Sequence, residues 1–306
     1  MTHTKPHKQL ILSLLFILIT ASKLFAQQPD LFKETVDSSR KLQTEITRST
    51  FKTTRLINGH SIENVGRGIL DFRISHRFGA INQGGKNFFG LDNAFTRLDL
   101  DYGITDRLMV GISRGTYEKE FTGFIKYKIL RQSTGATSMP ISLSYVATAF
   151  LRTRDVFDPN ASDFVKQKFF YAQQLLIARK FSDYFSLQLM PTMVHYQSTP
   201  TAADQNYQFS MGVGMRQRIS KRVNITGEYY YQLNGFDGYS NSLAFGFDIE
   251  TGGHVFQLHL TNSYGTTERT FIHETTGKWG DGDIHFGFNI SRVFVIKKPK
   301  GFQKNW

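Results

Sequence analysis

Cysteine is absent from all 306 residues, which excludes a disulfide framework and a lipid-modified cysteine at the point of export. After residue 26 no apolar run reaches the roughly 18 residues needed for a helical membrane span, and the mean hydropathy is slightly negative at -0.31. Acids are outnumbered, with 25 Asp and Glu against 37 Lys and Arg. The bases are scattered along the chain, without a basic helix, an RNA-binding signature or a Cys/His finger, so nucleic acid is not expected as a partner. The complete metal and phosphate motifs are missing too. His273-Glu274 opens like a zinc-protease HExxH, but the fifth position is Gly277; Gly84-Gly85-Lys86 lacks the hydroxyl residue that follows a phosphate-loop lysine. Gly280-Asp281-Gly282-Asp283 lacks the further spaced acids of a calcium loop. These three read as turns, and no cofactor or metal is expected.

The amino terminus is an export signal. A basic start (His3, Lys5, His7, Lys8) precedes the apolar run Leu10 to Thr20, and Leu24-Phe25-Ala26 stands where cleavage is expected. Removing the leader's Lys5, Lys8 and Lys23 from 37 bases leaves 34 against 25 acids, a formal charge of +9 on the mature chain. In an outer-membrane protein such bases meet anionic lipid head groups and lipopolysaccharide at the mouths of a barrel.

From about residue 69 to residue 294 the chain repeats one device: a segment of about ten residues with alternating apolar and polar side chains, closed by a turn. Leu70, Phe72, Ile74 and Phe78 alternate with Asp71, Arg73, Ser75 and Arg77; Leu98, Leu100 and Tyr102 alternate with Arg97, Asp99 and Asp101. Similar series follow through Phe121 to Ile129, Ile141 to Leu151, Tyr207 to Val213, Leu243 to Ile249 and Ile284 to Ile290. Charge keeps to one parity, because an Arg facing lipid at mid-bilayer costs about 2 to 4 kcal/mol. Lys168 to Phe181 is the weakest series, since Gln173 and Gln174 spoil either parity, and a bulge is expected there.

A soluble sandwich also alternates, so the turns decide. They run long and short in turn: Gly79 to Ala94, then Thr105-Asp106-Arg107; Thr116 to Glu120, then Gln132 to Met139, a brief loop and a generous turn that soften the rule; Arg152 to Gln167, then Ser182-Asp183-Tyr184; Gln197 to Asn206, then Ser220-Lys221-Arg222; Asn234 to Asn241, then Thr251-Gly252-Gly253; finally Ser263 to Asp283. Outer-membrane barrels have this asymmetry, with short periplasmic turns. The expected fold is an all-β transmembrane antiparallel β-barrel of about 12 strands, sealed because backbone groups in hydrocarbon must be paired, with both termini periplasmic. Tyr102, Tyr127, Tyr207, Tyr229 and Phe294 are expected in the interfacial girdles.

The expected organisation is a signal peptide at 1–26, an N-terminal arm or plug at 27–65, the barrel at 66–296 and a basic tail at 297–306. Within the arm, Asn58-Gly59 signals a turn between two short strand-like pieces. Pairing at the periplasmic rim is the preferred reading of this segment, since exported chains generally have loose ends, and insertion as a plug is the alternative. The final strand ends ISRVF at Phe294, in the manner by which barrel proteins are recognised by the assembly machinery during insertion, although Lys297, Lys298, Lys300 and Lys304 follow it.

The stretch FKTTRLINGHSIENVGRGILDFRISHRFGAINQGGKNFFGLDN, with TGGHVFQLHLTNS at Thr251 to Ser263, resembles a family of exported β-barrel proteins from Gram-negative bacteria defined only as a domain of unknown function. The resemblance spans roughly residues 45 to 295. It implies the barrel and carries no activity, cofactor or site residue.

Lumen-lining candidates on the inward parity are Arg73, Arg77, Arg97, Asp99, Asp101, Lys126, Lys128, Arg216, Glu228, Asp248 and His259, to which Asp71, Arg218 and Glu250 add. The two signs nearly balance, whereas a selective pore for one sign of ion favours a one-signed constriction. Balanced charges pair and fill an interior. Three functions stay open: a narrow channel or binding barrel for a small solute, a closed structural or adhesion barrel, and an outer-membrane hydrolase. No residue is assigned as catalytic. His259 with Ser263 and Asn262 is the best hydrolytic grouping, and His76 and His195 are isolated polar candidates for the wall.

Overall fold

The computed structural model describes residues 43–154, 166–201 and 203–298. The leader, residues 27–42 and the tail from residue 299 lie outside them, so the expectations for those segments do too. The barrel strands are β1 (Ile69–Ala80), β2 (Ala94–Gly103), β3 (Leu108–Gly115), β4 (Glu120–Leu130), β5 (Ser142–Arg152) and β6 (Phe169–Lys180). They continue with β7 (Phe185–Tyr196), β8 (Tyr207–Arg218), β9 (Val223–Gln232), β10 (Ser242–Thr251), β11 (His254–Thr261) and β12 (His285–Val295). Each pairs antiparallel with its neighbour in sequence, and β12 pairs with β1, so the sheet is a closed barrel of twelve strands. No strand edge is left open, as a bilayer requires.

The alternation read from the sequence is the alternation of the wall. Asp71, Arg73, Ser75 and Arg77 are buried inward, while Leu98, Leu100, Ile112, Phe121, Ile125, Phe245 and Phe247 stand exposed on the outer surface. The expected girdle residues Tyr127, Tyr207, Tyr229 and Phe294 are exposed on this surface as well. The connections 104–107, 181–184, 219–222 and 252–253 gather at one end of the barrel, together with the longer 131–141. The loops 81–93, 116–119, 197–206, 233–241 and 262–284 gather at the other.

The bulge expected near Gln173 and Gln174 is absent. The registers of β6 with β5 and with β7 run without a shift; irregularities fall instead between Lys128 and Leu130 and between His285 and Gly287. Gln173 faces out, and Gln174 faces in, donating to Thr192 Oγ1 at 2.9 Å. The alternation fades here because the inward row is itself apolar: Phe170, Ala172, Leu176 and Ala178 are buried. A local interior core, rather than backbone irregularity, blurs the pattern.

That interior core reflects the main departure from the expected arm at the rim. Thr44–Ile46 does pair with Ser133–Gly135 at the short-turn end. Residues 50–62 then rise into the bore, where Leu56, Ile62, Thr54, Arg55, Asn58, His60 and Ser61 are all buried. The segment folds back as a hairpin, with Ser61 N donating to Thr54 O and Leu56 N to Gly59 O. Ile57 and Asn58 form the tip, one residue before the Asn-Gly pair that signalled the turn. The preference for the rim fails because the lumen wall satisfies the hairpin's backbone groups, a match between distant segments that local patterning does not carry.

From the opposite end, loop 262–284 also dips inward. Glu268–His273 forms a short helix with every residue buried, and Thr270 Oγ1 accepts from Thr267 N at 3.1 Å at its start. Phe271 and Ile272 join Leu56, Ile62, Met109, Phe124, Met190 and Tyr230 in one hydrophobic cluster.

Candidate functional site: a lumen closed by its own chain

The hairpin tip is held by a carboxylate. Glu228, inward on β9, accepts from the backbone N–H groups of Asn58 at 2.8 Å, Gly59 at 3.1 Å and Ile57 at 3.3 Å. Three successive donors converging on a carboxylate form strong, charge-assisted bonds. The carbonyls of the same turn are met by amides: Gln257 Nε2 donates to Leu56 O at 2.6 Å and Asn289 Nδ2 to Ile57 O at 3.0 Å. Further down the hairpin, Gln188 Nε2 donates to His60 O at 2.7 Å and Lys126 Nζ to Ser61 O at 2.9 Å. Gly59 is required at its position, since a Cβ there would stand 2.1 Å from Tyr230 Oη. Inward Gly214 serves likewise, because a Cβ would meet Leu56 Cδ1 at 2.3 Å.

One wall carries a charged ladder. Arg73 lies 3.2 Å from Asp101, 3.4 Å from Asp99 and 3.8 Å from Asp71, and Arg97 lies 2.9 Å from Asp99. Thr54 of the hairpin is drawn into it, accepting from Arg73 Nη1 at 2.8 Å and donating to Asp101 at 3.1 Å. Arg97 also donates to Thr266 O at 2.6 Å, tethering the inserted loop 262–284. Arg77 Nη2 donates to Asn58 Oδ1 at 2.6 Å. Asp248 accepts from Thr226 and Gln257. The charges read as near-balanced therefore divide between pairing with one another and holding the plug.

The other candidates lie as follows. Arg216 donates to Ser49 O at 3.0 Å where the hairpin enters. Lys128 is half-buried at the short-turn mouth, beside Arg48 and Arg131 around a cavity of about 500 Å³. Glu250 is at that rim, 2.6 Å from Lys52, and Arg218 is half-buried there. His259 is buried, with no hydrogen-bond partner for its ring nitrogens among the described residues.

The hydrolytic grouping is not assembled. Ser263 Oγ donates to Gly265 O, while Asn262 Nδ2 donates to the carbonyls of Asn241 and Gly277. His76 and His195 are not lining residues. His76 stacks on Phe288, and His195 stacks between Tyr171 and Tyr207, on the outward face. Their neighbours of like parity are aromatic and lipid-facing, and a ring of that shape fits the aromatic rows.

The inserted loop 262–284 has its own charge network. Arg269 donates to Glu120 at 2.8 Å and is paired with Glu274 at 2.5 Å, with its guanidinium 4.5 Å from the centre of the Phe170 ring. Burial pushes the Glu274 carboxyl up, against the pull of Arg269. Burial also pushes the His273 imidazole down to about 3. The two closures touch: Arg55 of the hairpin lies 2.7 Å from Glu268 of the loop helix, and His60 lies 3.2 Å from the same carboxylate. Around Arg55, Asn58, Arg97 and Thr266 the space left is only about 10 Å³, about what a single water needs. Below the hairpin a cavity of about 680 Å³ opens to the short-turn mouth between Lys52, Glu63, Arg222 and Glu250.

Residues 51–294 match the family model described as a membrane bound beta barrel domain. The chain belongs to that family, DUF5777. The match begins at the hairpin, so the family's domain includes the plug as well as the wall. No curated protein matches the sequence of this chain. Among solved structures, the KdgM porin is 9% identical with a TM-score of 0.44, covering 74% of this chain and 99% of its own. The NanC porin is 11% identical with a TM-score of 0.44, covering 75% and 100%. The CymD monoaromatic hydrocarbon channel is 9% identical with a TM-score of 0.39, covering 76% and 90%.

Proposed function

We propose that this DUF5777 barrel works in the outer membrane, with both termini periplasmic, as a gated passage for small polar solutes held shut by its own N-terminal hairpin and the loop helix latched to it. One observation carries the reading: the main chain of the hairpin is held in the bore by polar side chains of the wall, namely Glu228, Gln257, Asn289, Gln188 and Lys126. All of these are groups that water satisfies equally well once a bore is hydrated. Withdrawing the hairpin exchanges one set of hydrogen bonds for another and leaves a lining that is charged along Arg73, Asp99 and Asp101 and apolar around Met109, Phe124, Met190 and Tyr230. No covalent tie opposes the movement, since the chain has no cysteine. Lipopolysaccharide at the outer mouth and the assembly machinery during insertion are the partners that accompany this placement.

The test is conductance of the full chain in planar bilayers. The wild type is expected to be silent or nearly so. Gly59→Val, whose side chain collides with Tyr230, is expected to give stepwise currents, and Arg97→Gln in that background to shift ion preference. Silence of the Gly59→Val chain across salts sinks the gated passage. A second reading, a closed structural barrel, is favoured by the apolar seating of Phe271 and Ile272, both wholly buried.

A further inference from the structure

The hairpin occupies the bore as a peptide, and the wall grips its main chain. Glu228 takes three consecutive N–H groups, while Gln257, Asn289, Gln188 and Lys126 each donate to a hairpin carbonyl. These particular contacts are to the main chain, and Ile57 offers only its backbone to these partners. Main-chain groups are the same in every peptide, so a surface built to hold them accepts peptides of varied sequence. A sugar offers hydroxyls but no alternating row of N–H and C=O groups, and it leaves this array of donors and acceptors partly unpaired, at the cost that such groups carry when buried.

We propose that the hairpin is an internal stand-in for the cargo, and that the open bore binds short peptides in a turn conformation, with Glu228 as the anchor of their amides. The transport meaning of this inference rests on the gated-passage reading; the binding site itself does not. Contacts of hairpin side chains, among them Leu56 and Ile62 in the apolar cluster and His60 beside Glu268, separate the resident segment from a free peptide. Thr54 with Arg73 and Asp101, Arg55 with Glu268 and Asn58 with Arg77 fix the hairpin in its own barrel. A cargo peptide lacking them binds more weakly and leaves, as a passage requires.

The experiment uses full-length Gly59→Val in planar bilayers, with a synthetic peptide of the sequence of residues 52–63 added on the short-turn side. Block of the current is expected. A peptide with alanine in place of Thr54, Arg55 and Asn58 is expected still to block. A neutral trisaccharide of similar size is expected to block at least about tenfold less well, and Glu228→Gln in the same chain to weaken peptide block by about tenfold, the loss expected for charge-assisted bonds. Equal block by peptide and sugar, or indifference to Glu228→Gln, overturns the proposal while leaving the gated passage standing.

If Gly59→Val passes no current, the passage fails and binding decides the present inference separately. Fluorescence anisotropy of the labelled peptide with the detergent-solubilised variant then gives saturable binding that Glu228→Gln weakens, or no binding up to about 1 mM, which overturns it. Should Gly59→Val fail to fold, Leu56→Asp expels the hairpin by a different route, since Leu56 is wholly buried in the apolar cluster, and it is carried through the same measurements.

Discussion

Arg55 and Glu268 meet at 2.7 Å in the middle of the bore, although 213 positions separate them in sequence. One belongs to a hairpin rising from the short-turn end, the other to a loop descending from the opposite end. Their side chains are 3% and 0% exposed, so the closure from each side is latched to the other in a site shielded from solvent. Removing one stopper strands a buried charge on the other.

Arg55→Ala is accordingly expected to destabilise the plugged state by about 3 to 5 kcal/mol, the usual cost of leaving one member of a buried pair alone. Arg55→Met with Glu268→Leu should return most of that loss. Urea unfolding in detergent, followed by intrinsic fluorescence, measures both; a double variant no better than the single one argues against the latch.

Acid should loosen the inserted loop. The His273 imidazole, held down to about 3 by burial, is neutral in the folded state and takes a proton on release, at an ordinary value near 6.5. The released form binds more protons between these limits, so stability is full above about pH 6.5 and falls as the pH drops toward 3. By linkage the loss at pH 4 is at most about 3 kcal/mol. Limited proteolysis within residues 262–284 should rise over this window, and His273→Gln should flatten the rise. An unchanged profile in that variant removes His273 as the cause.

Phe271 is wholly buried and lies edge-on to Tyr230 at 5.2 Å between ring centres. Phe271→Ala should cost about 3 to 5 kcal/mol, as aromatic truncations in a core do, and should free the loop helix without altering the wall. Hydrogen exchange of residues 268–273 in the variant is expected to approach that of the neighbouring surface loops, while the strand amides stay protected.

The outer face can be tested by charge. Ile125 on β4 is 56% exposed, toward lipid, and Ile125→Arg should slow or prevent insertion into bilayers with a penalty of about 2 to 4 kcal/mol if it lies at mid-depth. Folding yield into liposomes, read by electrophoretic mobility without boiling, gives the comparison. Insertion at wild-type efficiency would contradict the assignment of that face.

The wall was largely legible because its rules are local. Asp71, Arg73, Ser75 and Arg77 alternate with Leu70, Phe72, Ile74 and Phe78, and a period of two translates directly into two faces. The same rule misled where the interior is apolar. Around Gln174 the inward positions Ala172 and Leu176 resemble outward ones, so a regular strand read as a bulged one. His76 and His195, isolated polar candidates for the wall, stack among the aromatic rows outside. A residue with both ring and polar atoms does not declare its face by type alone.

Within the lumen, the sequence supplied the charged residues of both signs, but not their division of labour. Arg73 pairs with Asp71 of its own strand and with Asp99 and Asp101 of the adjoining one, a partnership that strand register makes visible in principle. Glu228 holds residues 57 to 59, some 170 positions away; nothing in the spacing of either segment points to the other.

What the sequence determined by itself is a membrane barrel of about twelve strands, since lipid outside and a polar bore inside impose alternation on every strand separately. Only the tertiary structure decided that the bore is shut. Occupation of the lumen depends on whether backbone groups of a distant segment find donors and acceptors on the far wall, and that complementarity exists only after the cylinder has closed.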